Sequence, residues 1–178
     1  MLLVLSPINR EARAASLHEA VQKGNQLVRE GKLDDALKTY VDGQIEHSDD
    51  PRLKYNIAAT QYKMKNYEEA VKGFLDTAAT SKDVKLEEQA LYNCGNALYR
   101  QGKLEEAIEY YKKALGRNPD DRDAKHNLEF VQEELKKRIN EAQETAKKQE
   151  QQQKQEQKQS LTAPGVYAID SGAAHRDI

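Results

Sequence analysis

Gly31-Lys-Leu-Asp-Asp-Ala36, Lys65-Asn-Tyr-Glu-Glu-Ala70 and Gly102-Lys-Leu-Glu-Glu-Ala107 are one hexapeptide written three times. Ala36 and Ala70 stand 34 residues apart, and Ala70 and Ala107 stand 37 apart, one period plus three extra residues near Val84 to Glu87. A fixed period of this length marks an array in which each unit buries its apolar face against the next. Outward from each hexapeptide the same residue types return. Gly24, Ala58 and Gly95 precede it where two helices must approach closely, and Tyr40, Phe74 and Tyr111 follow each alanine by four residues, on the same helical face. Gly31 and Gly102 suit a left-handed helix end, and Lys65 in the second copy predicts a turn that differs slightly. Asp50-Pro51 and Asn118-Pro119 break the helix between units.

Thirty-four residues is the tetratricopeptide period. The third unit, Leu91-Tyr-Asn-Cys-Gly-Asn-Ala-Leu98 through Ala107, Tyr111, Ala114 and Pro119, resembles that family nearly position for position. The resemblance implies an all-α fold: three helix-turn-helix repeats in a right-handed superhelix, with a long C-terminal capping helix. The expected organisation is a leader or signal-peptide remnant at 1–16, repeats at 17–50, 51–87 (with the three-residue insertion) and 88–121, and a capping helix at 122–140. A Gln/Lys/Glu-rich helical or disordered extension follows at 141–159, then a disordered tail at 160–178. Ala124, Leu128, Val131 and Leu135, with Phe130 nearby, supply the apolar stripe of the cap. Lys23, Lys54, Gln61, Gly43 and Thr77 depart from the family pattern, so looser packing is expected in repeats one and two.

Composition narrows the function. With 28 Lys+Arg against 30 Asp+Glu, the net charge of −2 supplies no positive field for phosphate backbones, so nucleic acid is not expected as a partner. No stretch has the roughly 18 apolar residues of a membrane span. Met1-Leu-Leu-Val-Leu5 and the small residues around Ala12-Arg-Ala-Ala15 resemble the end of a secretory signal. That reading points to the periplasm or cell envelope; a disordered leader on a cytoplasmic protein is the alternative. The chain has no phosphate-binding loop, HExxH, GxSxG or His/Cys cluster, its four histidines are scattered, and its one cysteine, Cys94, reads as a small buried hydrophobe. Neither an enzyme nor a bound cofactor or metal is expected. Asp34-Asp35, Glu68-Glu69 and Glu105-Glu106 recur at the start of the second helices, where they complement the helix dipole.

By resemblance, the first helix of each repeat lines a concave groove. The groove positions carried over are Asn25 and Arg29, Tyr55, Tyr62 and Lys63, and Gln89, Tyr92, Asn96, Tyr99 and Arg100. His18, Val21, Arg52, Ala59, Asp123, His126 and Phe130 lie beside them. Such a surface suits an extended peptide or a partner helix. Relatives that clamp the C-terminal carboxylate of chaperones resemble one another in a lysine, two asparagines and a basic pair. Here Asn25 and Asn56 match, Val21 stands for the lysine, and Gln89 and Asn93 for the pair, so chaperone-tail binding by a carboxylate clamp is not expected. The order of parts, with Asp123-Ala-Lys-His-Asn-Leu-Glu129 and the glutamine-rich tract, resembles repeat proteins of bacterial aerotolerance (Bat) operons. That resemblance implies an envelope adaptor working with von Willebrand A-domain proteins and an AAA+ ATPase. A homo-oligomer built by end-to-end stacking is the alternative.

Overall fold

The structure, a computed structural model, describes residues 7–162 and the side chains of 16–159. Among the described residues there are seven helices and no strand: α1 (Pro7–Arg29), α2 (Leu33–Glu46), α3 (Pro51–Lys63), α4 (Tyr67–Thr80), α5 (Val84–Arg100), α6 (Leu104–Arg117) and α7 (Arg122–Thr162). Helix α1 takes in most of the segment read as a leader. Residues 1–6 of that segment and 163–178 of the tail lie outside the described residues. No described helix is long and apolar enough to cross a membrane.

The helices pair as α1–α2, α3–α4 and α5–α6. Each first helix except α1 opens on an aspartate whose carboxylate accepts backbone N–H groups. Asp50 takes Arg52 N, Asp83 takes Lys85 N and Leu86 N, and Asp121 takes Asp123 N and Ala124 N. The three extra residues between repeats two and three add a turn to the start of α5, which therefore has 17 residues against 13 in α3. Second helices start without a side-chain cap but carry the acidic pairs in their first turns.

All three hairpin turns have the same backbone. Gly31 and Gly102 sit at φ 76° and 78°, and Lys65 joins them at 67°. In each, two N–H groups fold back on the preceding helix: Gly31 N to Val28 O and Lys32 N to Leu27 O, Lys65 N to Tyr62 O and Asn66 N to Gln61 O, Gly102 N to Tyr99 O and Lys103 N to Leu98 O. The expected difference at repeat two is thus corrected. Orphan carbonyls at the end of α3 need the same two donors, so the chain holds a lysine in a glycine conformation.

Close approach explains the small residues. A Cβ on Gly95 would lie 2.7 Å from Tyr111 Cε1, and one on Gly24 would strike the Tyr40 ring. Repeat two swaps the roles, because Ala58 sits on α3 and a Cβ on Gly73 of α4 would meet it at 2.7 Å. Gly43, one of the departures, faces Ala20 at 2.8 Å by the same measure, so it permits tight packing where loosening was expected. Thr77 is fully buried with its hydroxyl donated to Gly73 O, and Lys54 reaches Asp76 at 2.9 Å. Ala58, Phe74, Cys94, Leu98, Leu104, Tyr111 and Val131 form one continuous core through repeats two and three and the start of α7. Ala36 and Tyr40 of repeat one form a separate, smaller cluster with Leu53 of α3.

Among the described residues, those up to Lys136 form one compact unit and those from Lys137 a second. In the first, Ala124 and Val131 of α7 are buried and Leu128 and Leu135 pack against the core. In the second, the described side chains are exposed and joined by i,i+4 pairs such as Lys137–Glu141 and Lys154–Glu150.

Candidate functional site: the concave groove

First helices touch one another in order, α1 with α3 and α3 with α5, while contacts between successive second helices are absent or marginal among the described residues. A stack pinched on the first-helix side is concave there. Groove side chains therefore project from α1, α3, α5 and the start of α7.

Two sets of asparagine–tyrosine hydrogen bonds fix that wall. Within repeats, Tyr40 Oη donates to Asn25 Oδ1 at 2.7 Å, and Tyr111 Oη to Asn96 Oδ1 at 2.8 Å. Repeat two replaces both members of the pair, with Phe74 for the tyrosine and Ala59 for the asparagine. Between repeats, Asn93 Nδ2 donates to Tyr55 Oη at 2.8 Å, and Asn127 Nδ2 to Tyr92 Oη at 3.0 Å and to Asn96 Oδ1 at 3.1 Å. The corresponding rung between repeats one and two lacks its tyrosine, because Val21 stands opposite Asn56. Burial raises the hydroxyl pKa of Tyr55, Tyr62 and Tyr111, so these tyrosines stay neutral, and Tyr111 keeps the proton it donates to Asn96.

The residues expected to line the groove divide in this geometry. Tyr62, Asn96, Tyr99 and Arg100 meet around a cavity of about 300 Å³ completed by Tyr111 and by His126, Asn127, Phe130 and Val131 of α7. Tyr55 and Tyr92 lean on Phe74 and Tyr111, with ring centroids 5.6 Å and 5.9 Å apart, and serve packing as much as surface. The Oδ1 atoms of Asn25 and Asn96 each accept a tyrosine hydroxyl, so these two asparagines also serve to fix the wall. Arg29, Lys63 and Arg100 occupy the last turns of α1, α3 and α5 at one repeat position, all exposed. Gln89 is half-buried on α5. A second hollow of about 220 Å³ lies at the other end, between Leu17, His18, Val21 and Arg52.

Sequence reading passed over the roles of four residues. Tyr67 meets Tyr62 edge-on at 5.4 Å and holds Arg100, whose Nε donates to its hydroxyl at 3.2 Å. Asn93 and Asn127 carry the ladder. Glu88 is 93% buried beside Asp121, and burial, followed by the hydrogen bond and repulsion from Asp121, pushes its carboxyl up to about 7. Cys94 is fully buried and its thiol is raised to about 12, so it does not ionise as a nucleophile must. Among the described residues, no group of three or more His, Cys, Asp or Glu side chains is placed to hold a metal ion.

Two sequence profiles of the tetratricopeptide repeat family match the chain, at residues 21–85 and 88–121, together more than half of its length. This chain belongs to the tetratricopeptide repeat family. It is 30% identical over 124 residues to the heat shock protein STI1 of Saccharomyces cerevisiae, covering 67% of this chain and 21% of that protein. It is 33% identical over 111 residues to the Hsp70-Hsp90 organising protein of Plasmodium falciparum, covering 60% and 20%. The chain thus spans about a fifth of the length of these curated relatives. Among solved structures it is similar to the first tetratricopeptide domain of Spaghetti (RPAP3) bound to the HSP90 peptide SRMEEVD. The TM-score there is 0.63, at 25% identity, over 68% of this chain and 94% of that one. It is also similar to the yeast Sti1 TPR2AB–HSP90 complex, with TM-score 0.68, 27% identity and coverage of 72% and 51%.

These neighbours overturn one expectation. Chaperone-tail binding was set aside because Val21, Gln89 and Asn93 replace basic residues of the clamp, yet repeat domains this similar are solved with HSP90. The exclusion is withdrawn. Single clamp charges are a weak ground for it, since an extended peptide also gains from aromatic walls and backbone hydrogen bonds. These relatives are named a heat shock protein and an Hsp70-Hsp90 organising protein, so the narrower resemblance to aerotolerance-operon proteins is not shown by them.

Proposed function

We propose that the chain is a non-enzymatic adaptor that holds an extended segment of a partner protein along the groove made by α1, α3, α5 and the start of α7. The supporting observation is the fixed aromatic wall: Tyr55 and Tyr92 are anchored by Asn93 and Asn127, and Tyr62 and Tyr99 border an open cavity. Rigid tyrosines give contact area at small entropic cost, so a wall set before binding favours affinity. Chaperone C-terminal peptides are the first ligand class to try, given what the Spaghetti and Sti1 domains are solved with.

Amide hydrogen exchange with the peptide SRMEEVD, and with peptides selected on the full chain, tests this. Protection on α1, α3 and α5 is the expected footprint. Protection confined to α2, α4 and α6, or none with any peptide, overturns the adaptor reading. A narrower version sets the adaptor in a bacterial envelope complex with von Willebrand A-domain proteins and an AAA+ ATPase. It is supported by Asp123-Ala-Lys-His-Asn-Leu-Glu129 and the glutamine-rich tract, and co-purification with such proteins from envelope membranes is its test.

A further inference from the structure

The chain has two phenylalanines, and they are treated oppositely. Phe74 is buried at 1% exposure, whereas Phe130 stays 49% exposed on α7 although its neighbour Val131 is buried. Phe130 is nonetheless held in place: its ring meets Tyr99 edge-on at 5.9 Å. An exposed aromatic fixed by another aromatic, on the rim of a cavity, is the form of an anchor site. The floor below it is already satisfied, because Asn96, Asn127 and Tyr111 hydrogen-bond to one another. A partner's apolar group covering that floor therefore strands no donor or acceptor of these bonds.

Charge on the rim is one-sided. Arg100 is the charged side chain that lines the cavity, and no aspartate or glutamate is among its described lining residues. Arg100 is positioned rather than loose: its guanidinium carbon lies 5.8 Å from the Tyr67 ring centroid, with Nε on the hydroxyl. Glu134, close by on α7, accepts a hydrogen bond from Tyr99 at 3.1 Å. A cationic partner side chain would face Arg100 at close range, while a carboxylate gains a charge-assisted bond from a group already oriented. The volume, about 300 Å³, is at the bottom of the small-ligand range of roughly 300–1,000 Å³, which suits one large side chain rather than a cofactor.

We propose that the pocket between Tyr62, Tyr99 and Phe130 is a side-chain subsite that takes one apolar residue of the partner with a carboxylate beside it on Arg100. This deepens the groove reading and rests on it. The subsite reads side chains, so it needs no free peptide terminus.

Three terminally blocked, fluorescein-labelled nonapeptides test it by anisotropy on the full chain: Ser-Gly-Glu-Glu-Leu-Glu-Glu-Gly-Ser, its version with lysine for glutamate, and its version with glycine for leucine. The acidic leucine peptide is expected to bind, and each replacement to weaken binding at least five-fold. Phe130→Ala and Arg100→Gln alter exposed side chains and are expected to keep the fold, checked by thermal melting. Each should cost at least five-fold, and Arg100→Gln should also flatten the salt dependence. No binding to the wild-type chain, equal binding of the lysine peptide, or indifference to Phe130→Ala overturns the subsite. Failure of the subsite alone leaves the SRMEEVD footprint on α1 and α3, whereas failure of the groove reading removes that footprint as well.

Discussion

At the residue scale, this chain contains its own controls, because each position occurs three times in one molecule. Lys65 occupies the left-handed turn that Gly31 and Gly102 occupy in the other repeats. A residue with a Cβ costs about 1–2 kcal/mol there, so Lys65→Gly should raise stability by about 1 kcal/mol after the entropy glycine adds to the unfolded chain. Urea unfolding checks it, and an unchanged or lower midpoint would show the strain is absorbed elsewhere. The tyrosine–asparagine pair gives a second comparison. Tyr40→Phe leaves Asn25 Oδ1 without its donor and should cost about 1 kcal/mol, and adding Asn25→Ala should recover about half, since repeat two already uses the apolar pair Phe74 and Ala59. A double variant less stable by the full sum of both single losses would contradict that coupling. Gly24 and Gly95 were readable from sequence, because their spacing to the hexapeptide is constant, whereas the close approach at Gly43 was not. The Lys65 conformation was not, because it is set by what the end of α3 requires and not by the residue present.

At the element scale, the junction of α5 with the start of α7 is where the fold meets pH. Glu88 of α5 lies against Asp121, whose carboxylate caps α7. Its ordinary value of 4.5 is raised to about 7 in the folded chain, so between those limits the folded chain holds a proton the unfolded chain has released. Stability from this group is therefore present at low pH and falls as pH rises from about 4.5 to about 7. Discounted for solvent screening, the loss is roughly 1–2 kcal/mol. Glu88→Gln should remove that part of the slope, read as the difference between the two chains' denaturant midpoints at pH 5 and pH 7.5. Parallel pH profiles would show that Glu88 is not the titrating group. Elements themselves were largely legible: breaks at Pro51 and Pro119, acidic starts to second helices, and the apolar stripe on α7. The ladder was not read, although Tyr55, Tyr92 and Asn93, Asn127 recur at the repeat spacings. Its bonds join one repeat to the next, so neither column means anything until the two are set side by side in space.

At the scale of the molecule, α7 covers one end of the repeats in the first unit. Helix α7 seals the last hairpin with Ala124 and Val131, which are fully buried, so no further repeat can stack there without displacing it. Polymerisation by end-to-end stacking needs two complementary ends, and this chain retains at most the α1–α2 end for that purpose. Among the described residues, Val41 and Ile45 of α2, one helical turn apart, are exposed large apolar side chains in that hairpin. Association through one end is self-limiting, because two copies meeting there leave no free end. Static light scattering over a wide concentration range should therefore level off at no more than twice the 20.2 kDa chain mass. Val41→Glu with Ile45→Glu should hold it at the monomer value. Val131→Ala, which removes about 2 kcal/mol of packing under the cap, should lower the melting temperature before it permits any larger species. A mass that climbs without limit in the wild-type chain would mean that α7 yields its place to another copy, and the groove cavity it completes would then be shared between chains.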